Sequence, residues 1–207
     1  MNLIFVGVQG SGKGTQAKLI SNELGLAHIS TGDLLRDAKG ELRKRVDSYI
    51  EKGNLVPDAL ILEILKERLN KKEGDNGIIL DGFPRNLEQA RALDKIMEVD
   101  KVIEIKISDK EALKRLSGRW NCRKCGIAYN IFTSPKPKKD RICDICDSPL
   151  YQREDDKPFP IKKRLKIYHK ETEPILEHYK DKVVSVDGER AIEEIKEEIL
   201  KILENAN

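Results

Sequence analysis

The sequence predicts an α/β protein whose parallel sheet is covered by helices on both faces. Short apolar runs of strand length alternate along the chain with segments of helical spacing. The first run, residues 3–6, turns directly through a glycine-rich stretch into the start of a helix. Parallel strands need crossover helices, so this order is typical of such a sheet. The chain of 207 residues is long enough for one full core with insertions.

The turn after the first strand has the composition of a phosphate-binding loop. Gly7 and the Gly12-Lys13 pair fit the Walker A spacing, although position 14 is Gly and the hydroxyl follows at Thr15. The glycines allow successive N–H groups to point into one concavity at a helix N-terminus, and Lys13 adds a mobile charge. A plain glycine-rich turn is the alternative, which a lysine at this spacing disfavours. We expect nucleotide phosphates to bind at Gly10, Ser11, Gly12, Lys13, Gly14 and Thr15.

Charge is abundant and unevenly placed. Charged residues make up 36% of the chain, and the net charge is only +3, yet residues 115–170 hold 15 Lys and Arg against 6 Asp and Glu. A basic middle indicates either nucleic acid or a polyphosphate pocket. The first residues lack a basic leader and the first apolar run is too short to cross a membrane, so we expect a cytoplasmic protein.

The next segments supply further candidate site residues. Residues 28–33 end a second strand and provide a helix N-cap before Arg36, and residues 40–56 and 60–69 have helical spacing. A strand at 77–81 ends in Asp81, in the Walker B arrangement that holds Mg²⁺ through water near Thr15. A loop-capping aspartate is the alternative for Asp81, which the phosphate loop upstream disfavours.

The second half of the chain continues the alternation. A strand is predicted at 102–107, followed by a helix at 110–118 that places Arg115 and Arg119 on one face. A long helix is predicted at 167–179, a short strand at 183–186, and a last helix with one apolar stripe. The stripe is formed by Ile192, Ile195, Ile199 and Ile202, and we assign it to the core.

All four cysteines of the chain fall in two Cys-x2-Cys pairs, Cys122 with Cys125 and Cys143 with Cys146. Two such pairs supply four thiolates to a tetrahedral Zn²⁺, whereas disulfides are uncommon in a cytosolic protein. Four protein ligands leave no open position, so the zinc is predicted to be structural. A zinc ribbon with nearby lysines could instead bind nucleic acid, which the phosphate loop disfavours.

Three motifs together resemble the adenylate kinase family of nucleoside monophosphate kinases, in its zinc-containing long-lid type. They are Gly-x-x-Gly-Ser-Gly-Lys-Gly-Thr at 7–15, His-Ile-Ser-Thr-Gly-Asp-x-x-Arg at 28–36 and Asp-Gly-Phe-Pro-Arg at 81–85. The resemblance covers nearly the whole chain. It implies the phosphate-loop kinase fold, with a five-stranded parallel sheet in a core of 1–29, 57–118 and 158–207. It also implies an AMP-binding helical unit at 30–56 and a zinc-binding lid at 119–157.

The resemblance implies reversible phosphoryl transfer from Mg-ATP to AMP, giving two ADP, by a monomer that binds neither nucleic acid nor membrane. Beyond the phosphate loop, it implies ATP contacts at Arg115, Arg119, Ala128, Tyr129 and Glu189. It implies AMP contacts at Thr31, Arg36, Asn54, Leu55, Val56, Gly82, Phe83, Pro84, Arg85, Gln89, Arg153 and Arg164. The catalytic charges would be those of Lys13, Arg85, Arg119, Arg153 and Arg164.

Some positions depart from the family pattern. Gln9 stands where the family loop has proline, and this replacement makes the loop less rigid. Asn54 stands where glutamate is usual. Pro158 and Pro160 lie near the return hinge of the predicted lid and are expected to stiffen it. Two other functions remain open at this stage: a kinase for UMP, CMP or GMP, and a zinc-ribbon protein that binds ATP and nucleic acid.

Overall fold

The computed structural model describes residues 1–37, 40–50, 56–69 and 76–205. The strands are β1 (Asn2–Val6), β2 (Ala27–Ser30), β3 (Ile78–Asp81), β4 (Lys101–Lys106), β5 (Arg119–Cys122), β6 (Ala128–Asn130), β7 (Leu150–Tyr151) and β8 (Val183–Asp187). Five of them form a parallel sheet in the order β2-β3-β1-β4-β8. The predicted five-stranded parallel sheet is confirmed.

Helices flank this sheet. They are α1 (Lys13–Leu24), α2 (Thr31–Asp37), α3 (Gly40–Ile50), α4 (Asp58–Leu69), α5 (Leu87–Asp94), α6 (Asp109–Ser117), α7 (Pro158–Ile167), α8 (Pro174–His178) and α9 (Ile192–Glu204). The carboxyl ends of β1 and β3 lie side by side, with Phe5 in register with Asp81. The phosphate loop and Asp81 therefore meet at one edge of the sheet. No helix among the described residues is both long and apolar enough to cross a membrane.

Alternation along the strands divides the core into two apolar layers. Ile4 and Leu80 face one side, toward Ile161 and Ile175, whereas Phe5 on the next position faces the other side. Successive side chains of a strand point to opposite faces, so every central strand serves both layers. Helix α9 covers the second layer. Of its predicted stripe, Ile195 and Ile199 are buried there and Ile202 is partly buried against it, whereas Leu203 takes a buried place and Ile192 lies outside the cluster. Each layer is large enough to fix the sheet without a metal.

The segment between α6 and α7 forms a separate small sheet. Strands β6, β5 and β7 pair antiparallel in that order, within the predicted lid. The apolar cluster here consists of only four buried side chains: Cys122, Tyr129, Cys143 and Leu150. Trp120 packs against this cluster, and the guanidinium of Arg141 lies 5.0 Å above its ring.

The predicted long helix at 167–179 is not continuous. Helix α7 begins earlier, at Pro158, and passes at Tyr168 into a π-helical turn that runs to Thr172. Within the turn the Glu173 N–H donates to the Tyr168 carbonyl, five residues back, at 2.9 Å. Pro174 then starts α8, because proline lacks the N–H that an uninterrupted α-helix needs there. Pro158 and Pro160 lie in the first turn of α7, where proline is accommodated.

Helix α3 follows the predicted helical segment 40–56 as far as Ile50. Residues 51–55, which include the predicted AMP contacts Asn54 and Leu55, lie outside the described residues. The side chain of Arg36 is likewise outside what the structure describes, although its backbone belongs to α2.

Candidate active site

The phosphate loop runs from the end of β1 to the start of α1. Gly12 caps α1 with φ 95°, a left-handed conformation that favours glycine. A Cβ at Gly14 would stand 3.0 Å from the Asp81 carboxylate, so the start of α1 lies directly against that side chain. The Ser11 N–H donates to the Val8 carbonyl at 3.1 Å and tightens the turn. The loop therefore presents a helix N-terminus beside the end of β3, and Thr15 next to Gly14 is exposed there.

Lys13 is the charge at the centre of the site. Its ammonium donates to the Val8 carbonyl at 3.4 Å. Burial lowers the pKa of Lys13, and the Asp81 carboxylate opposes this effect. Three further cations are near enough to lower the same pKa: Arg85, Arg119 and Arg164. The structure thus brings together four of the five predicted catalytic charges, from the start of α1, the loop after β3, the lid strand β5 and α7. The prediction that one helix carries both Arg115 and Arg119 is wrong, because α6 ends at Ser117 and Arg119 begins β5.

Asp81 has an unexpected neighbour in His28, whose Nε2 lies 3.7 Å from the carboxylate Oδ2. Burial by itself raises the pKa of Asp81, but interactions with His28 and Lys13 outweigh it, and the pKa is lowered. Asp81 is therefore held as a carboxylate, which is the form that binds Mg²⁺. The sequence motif contains His28, yet only the pairing of β2 with β3 reveals the contact.

A buried carboxylate joins the two arginines that flank the lid. Asp156 accepts two hydrogen bonds from Arg119, at 2.9 and 2.6 Å, and a third from Arg164 at 3.2 Å. Its side chain has no exposed surface, and its backbone N–H bonds the carbonyl of Arg153 at 3.1 Å. Neighbouring Asp155 also accepts from Arg164, at 2.7 Å. Neither aspartate was predicted from the sequence. The pairing of Asp156 with Arg119 joins residues that are 37 apart.

The remaining predicted ATP contacts are held in place by other groups. Arg115 donates to Glu111 at 2.9 Å and reaches the Ser11 carbonyl of the phosphate loop at 3.4 Å. Glu189 accepts from both the N–H and the hydroxyl of Ser108, each at 2.9 Å. These contacts tie both ends of α6 to predicted ATP-binding segments.

Two predicted ATP contacts lie on the lid strand β6. Ala128 is exposed, whereas Tyr129 is buried and its hydroxyl lies 3.6 Å from the Sγ of Cys143. The same hydroxyl accepts the Asp144 N–H at 2.9 Å. The Tyr129 ring thus belongs to the interior of the lid, which the sequence pattern alone did not reveal, and its contact with ATP stays a prediction.

On the predicted AMP side, three hydrogen bonds of Arg85 hold the loop that follows β3. Its N–H donates to Gln89 Oε1 at 2.7 Å, and its side-chain Nε donates to the Gly82 carbonyl at 2.7 Å. Its carbonyl accepts the hydroxyl of Thr172, on the π-helical turn, at 2.8 Å. The sequence analysis missed Thr172, because no local pattern marks a π-helical turn.

A small apolar cavity of about 10 Å³ lies beside this loop. Its lining is formed by Ile29, Thr31, Leu34, Leu35, Ile61, Ile64, Leu65, Leu80 and Phe83. Two predicted AMP residues, Thr31 and Phe83, are therefore together, and the Thr31 hydroxyl donates to the Asp81 carbonyl at 3.4 Å. Gly82 and Pro84 flank Phe83, and Val56 packs in the adjoining cluster around Val46.

The four cysteines form one cluster, with every sulfur within 4.8 Å of the others. Cys122 and Cys146 are 3.4 Å apart, and Cys125 lies 3.4 Å from Cys143 and 3.7 Å from Cys146. A disulfide would need about 2.05 Å. Tetrahedral zinc with Zn–S bonds of about 2.3 Å separates its sulfurs by about 3.8 Å. The donor set and its spacing therefore fit Zn²⁺ and exclude disulfides between these sulfurs.

Within the cluster, Cys143 and Cys146 have lowered pKa values, whereas the pKa of Cys125 is raised to about 12. Burial raises the pKa of Cys143, but a hydrogen bond from the backbone N–H of Ile145 and another from the Tyr129 hydroxyl outweigh it and lower the pKa to about 6. A thiolate is the form that binds metal.

Comparison with known proteins gives one consistent result. The family model described as adenylate kinase matches residues 5–184. A protein named adenylate kinase from Caldicellulosiruptor saccharolyticus is 46% identical over 98% of this chain and 99% of its own. One from Archaeoglobus fulgidus is 46% identical over 99% and 98%, and one from Staphylococcus epidermidis is 43% identical over 99% and 100%.

Proposed function

The chain belongs to the adenylate kinase family, and from that membership we propose that it transfers a phosphoryl group reversibly from Mg-ATP to AMP, giving two ADP. The observation that carries the proposal is that Lys13 and three arginines, which come from four separate segments of the chain, lie close together. Lys13 and Arg85 also lie near Asp81. Such a set suits the negative charge of two nucleotides held end to end. Direct transfer needs little more from the protein than alignment and charge neutralisation.

Each cation has a place in this scheme. Lys13 and the N–H groups of the phosphate loop hold the β- and γ-phosphates of ATP. Arg85, and Arg36 on α2, hold the phosphate of AMP. Arg119 joins Lys13 on the ATP phosphates, and Arg153 and Arg164 surround the group in transit and neutralise its charge as the bond to ADP breaks. Guanidinium groups suit this work because they donate paired hydrogen bonds to phosphate oxygens.

The metal of the substrate fits beside the phosphate loop. Asp81 is held as a carboxylate and lies against Gly14, next to the hydroxyl of Thr15. These two residues would hold Mg²⁺ through water. When bound, the ion draws charge from the β- and γ-phosphate oxygens.

Zinc has a structural role in this proposal. The four sulfurs of Cys122, Cys125, Cys143 and Cys146 fill a tetrahedral shell, so no position remains for substrate. We propose that the metal holds the lid, residues 119–157, while residues 30–56 close over AMP. Closure over both nucleotides excludes water and prevents hydrolysis of ATP. We further propose a cytoplasmic monomer that needs neither nucleic acid nor membrane, which a size-exclusion measurement with and without RNA tests.

The decisive experiment measures ADP formed from Mg-ATP with AMP, GMP, CMP and UMP as acceptors. Strong preference for AMP supports the proposal and the predicted roles of Thr31 and Gln89. Preference for another acceptor would keep the fold and the chemistry but overturn the assignment of the base. Absence of transfer to every acceptor, together with salt-dependent binding of RNA or DNA, would favour a zinc-ribbon binding protein.

Replacing Arg85 tests the AMP side directly. Arg85→Ala is expected to lower turnover by about two to three orders of magnitude, because a group that stabilises charge in the transition state is removed. The melting temperature should hardly change, since Ala keeps the backbone contacts to Gln89 and Thr172. Arg91→Ala, on the exposed face of α5, is the matched control. Near-normal rates in the Arg85 variant would contradict the assignment.

A further inference from the structure

The carboxylate of Asp58, the first residue of α4, accepts hydrogen bonds from two side-chain amides at the start of α5. Gln89 Nε2 donates to one carboxylate oxygen at 2.6 Å, and Asn86 Nδ2 donates to the other at 2.9 Å. Gln89 is only 3% exposed, so this contact is shielded from water. We infer that Asp58 is a positioning residue that fixes which end of the Gln89 amide faces the base, and thereby selects adenine over guanine. The inference rests on the proposed role of Gln89 at the base.

A carboxylate and an amide differ in the hydrogen bonds that they can form. An ionised carboxylate only accepts hydrogen bonds, whereas an amide has a donating end and an accepting end. Asp58 therefore requires the NH₂ end of Gln89. The oxygen end of Gln89 must then face the other way, where it accepts the Arg85 N–H at 2.7 Å. A flipped amide would set its oxygen against the carboxylate and its NH₂ against a second N–H, and would lose both bonds.

Asn86 is oriented by the same carboxylate. With its NH₂ end on Asp58, its oxygen caps α5 by accepting the Gln89 N–H at 2.8 Å. One charged group therefore fixes two amides, one at the start of α5 and one in its first turn. The backbone of Arg85 is fixed with them, because its N–H is bonded to the oriented Gln89.

Asp58 also lies on the correct face of its helix. Residues three and seven positions apart share one side of an α-helix, so Asp58, Ile61 and Leu65 form one row. Ile61 and Leu65 line the apolar cavity, together with Thr31 and Phe83. Asp58 therefore lies on the same side of α4 as two residues that line this cavity.

An oriented amide distinguishes the two purines. Adenine presents an amino donor next to a ring-nitrogen acceptor, whereas guanine presents a carbonyl acceptor next to an N–H donor. An amide fixed one way complements one pattern and opposes the other, and a site built to hydrogen-bond one pattern rejects the other strongly. If Asp58 loses its acceptor-only character, only the Arg85 N–H still fixes the amide, and the turned orientation that complements guanine becomes less unfavourable.

The test compares Asp58→Asn with the parent protein, using AMP and GMP as acceptors. Asparagine has the same shape but offers a donor as well as an acceptor, so it no longer dictates the orientation of Gln89. We expect the KM for AMP to rise and the ratio of kcat/KM for AMP over GMP to fall about tenfold, as expected when one hydrogen bond is misdirected. The KM for ATP should not change. Calorimetric binding of AMP and of GMP without ATP gives the same comparison independently of turnover.

Asp109→Asn is the matched control, because Asp109 is also the first residue of a helix, α6, and pairs with His169. It repeats the loss of charge at a helix start, and should leave the AMP to GMP ratio as it is. Asp58→Ser is the second variant if Asp58→Asn does not fold, since serine is favoured at helix starts and its hydroxyl also both donates and accepts.

An unchanged AMP to GMP ratio in the folded Asp58 variants would overturn the inference. So would an equal loss for AMP and ATP that follows the melting temperature, because that describes a purely structural residue. The parent protein separates this failure from failure of the proposed function. If the parent does not prefer AMP, the assignment of the base is wrong, whereas a parent that prefers AMP with unresponsive Asp58 variants overturns only the present inference.

Discussion

The parallel sheet and the lid solve the problem of stability in different ways. The sheet is covered on both faces by apolar layers, one built around Ile4 and Leu80 and the other around Phe5 and Ile199. The lid has three short strands and an apolar cluster of four buried side chains, two of which are cysteines. Below about 40 residues a domain usually needs a metal or disulfides, because it buries too little surface to offset the loss of chain entropy.

The difference teaches where each region gets its rigidity. The sheet must keep the phosphate loop and Asp81 in register, and its packing alone does so. In the proposed function the lid moves as a unit over the nucleotides, and a metal held by the four sulfurs would make it rigid without attaching it to the core. Charge joins the two regions through Asp156, which accepts hydrogen bonds from Arg119 of the lid and from Arg164 of α7. The side-chain amides of Asn130 and Gln152 in the lid also donate to carbonyls of α6.

Removal of the metal should have the largest effect and separate the two regions. A strong chelator is expected to lower the melting transition of the lid by about 10 °C or more, because structural zinc sites contribute their binding energy to folding. The sheet should keep its circular dichroism signal, and phosphotransfer should persist at temperatures below the new lid transition. Scanning calorimetry with and without chelator, alongside ADP formation, measures both.

Ile199→Ala gives the converse control. It removes buried side-chain volume in the second apolar layer and should cost about 2–5 kcal/mol of the sheet's stability, while the zinc content stays the same. If activity at low temperature were lost in proportion to the zinc removed, the structural role of the metal would be wrong.

The link between the regions is the next target. Asp156→Asn keeps the shape but removes the charge that Arg119 and Arg164 share, and should destabilise the protein by about 1–3 kcal/mol, since a buried network loses partners. Turnover should fall as well, because both arginines lose their common anchor. Unfolding in urea and steady-state kinetics report the two effects.

Asp155→Asn is the comparison variant. The Asp155 side chain is 53% exposed, and it pairs with Arg164 but not with Arg119. Its effects should be clearly smaller. Equal effects of the two substitutions would mean that Asp156 has no special part in joining the lid to the core.

The smallest expected effect concerns the core, where His169 of the π-helical turn bridges Asp109 of α6 at 3.0 Å and Glu173 at 2.8 Å. Hydrogen bonds to Asp109 and then Glu173 raise the pKa of His169. The stabilisation is therefore complete below about pH 6.5 and is lost as the pH rises through the raised pKa. Because the group is 45% exposed, it should contribute only a fraction of about 1 kcal/mol.

Melting temperatures at about pH 6 and about pH 9, for the parent and for His169→Gln, measure this contribution. The parent should lose slightly more stability than the variant over that interval. A parallel decline in both proteins would assign the pH dependence to other groups.

The sequence predicted the features whose physics is local. The glycine spacing before Lys13, the strand that ends at Asp81 and the paired cysteines each depend on neighbouring residues, and the sheet, the family and the cysteine cluster are confirmed. The missed features join distant parts of the chain. Asp156 meets Arg119 across 37 residues, and Asp58 meets Gln89 across 31.

The direction in which a side chain points also could not be predicted from the sequence. The resemblance predicts a contact between Tyr129 and ATP. The structure adds that the Tyr129 hydroxyl lies beside Cys143, because β6 pairs with β5 in that register. The π-helical turn was missed for a related reason. Its register depends on Pro174 together with the contact of Thr172 with the Arg85 loop, and neither follows from helical periodicity.

Trp120 is the only tryptophan of the chain, and it lies in the lid beneath the guanidinium of Arg141. The lid therefore carries its own optical reporter, and the sheet has no indole to obscure it. The emission of an indole depends on nearby charge and water, so movement of the lid during turnover should change the fluorescence of the unlabelled protein. Opening and closing of this enzyme can thus be followed by stopped-flow fluorescence without attaching a dye.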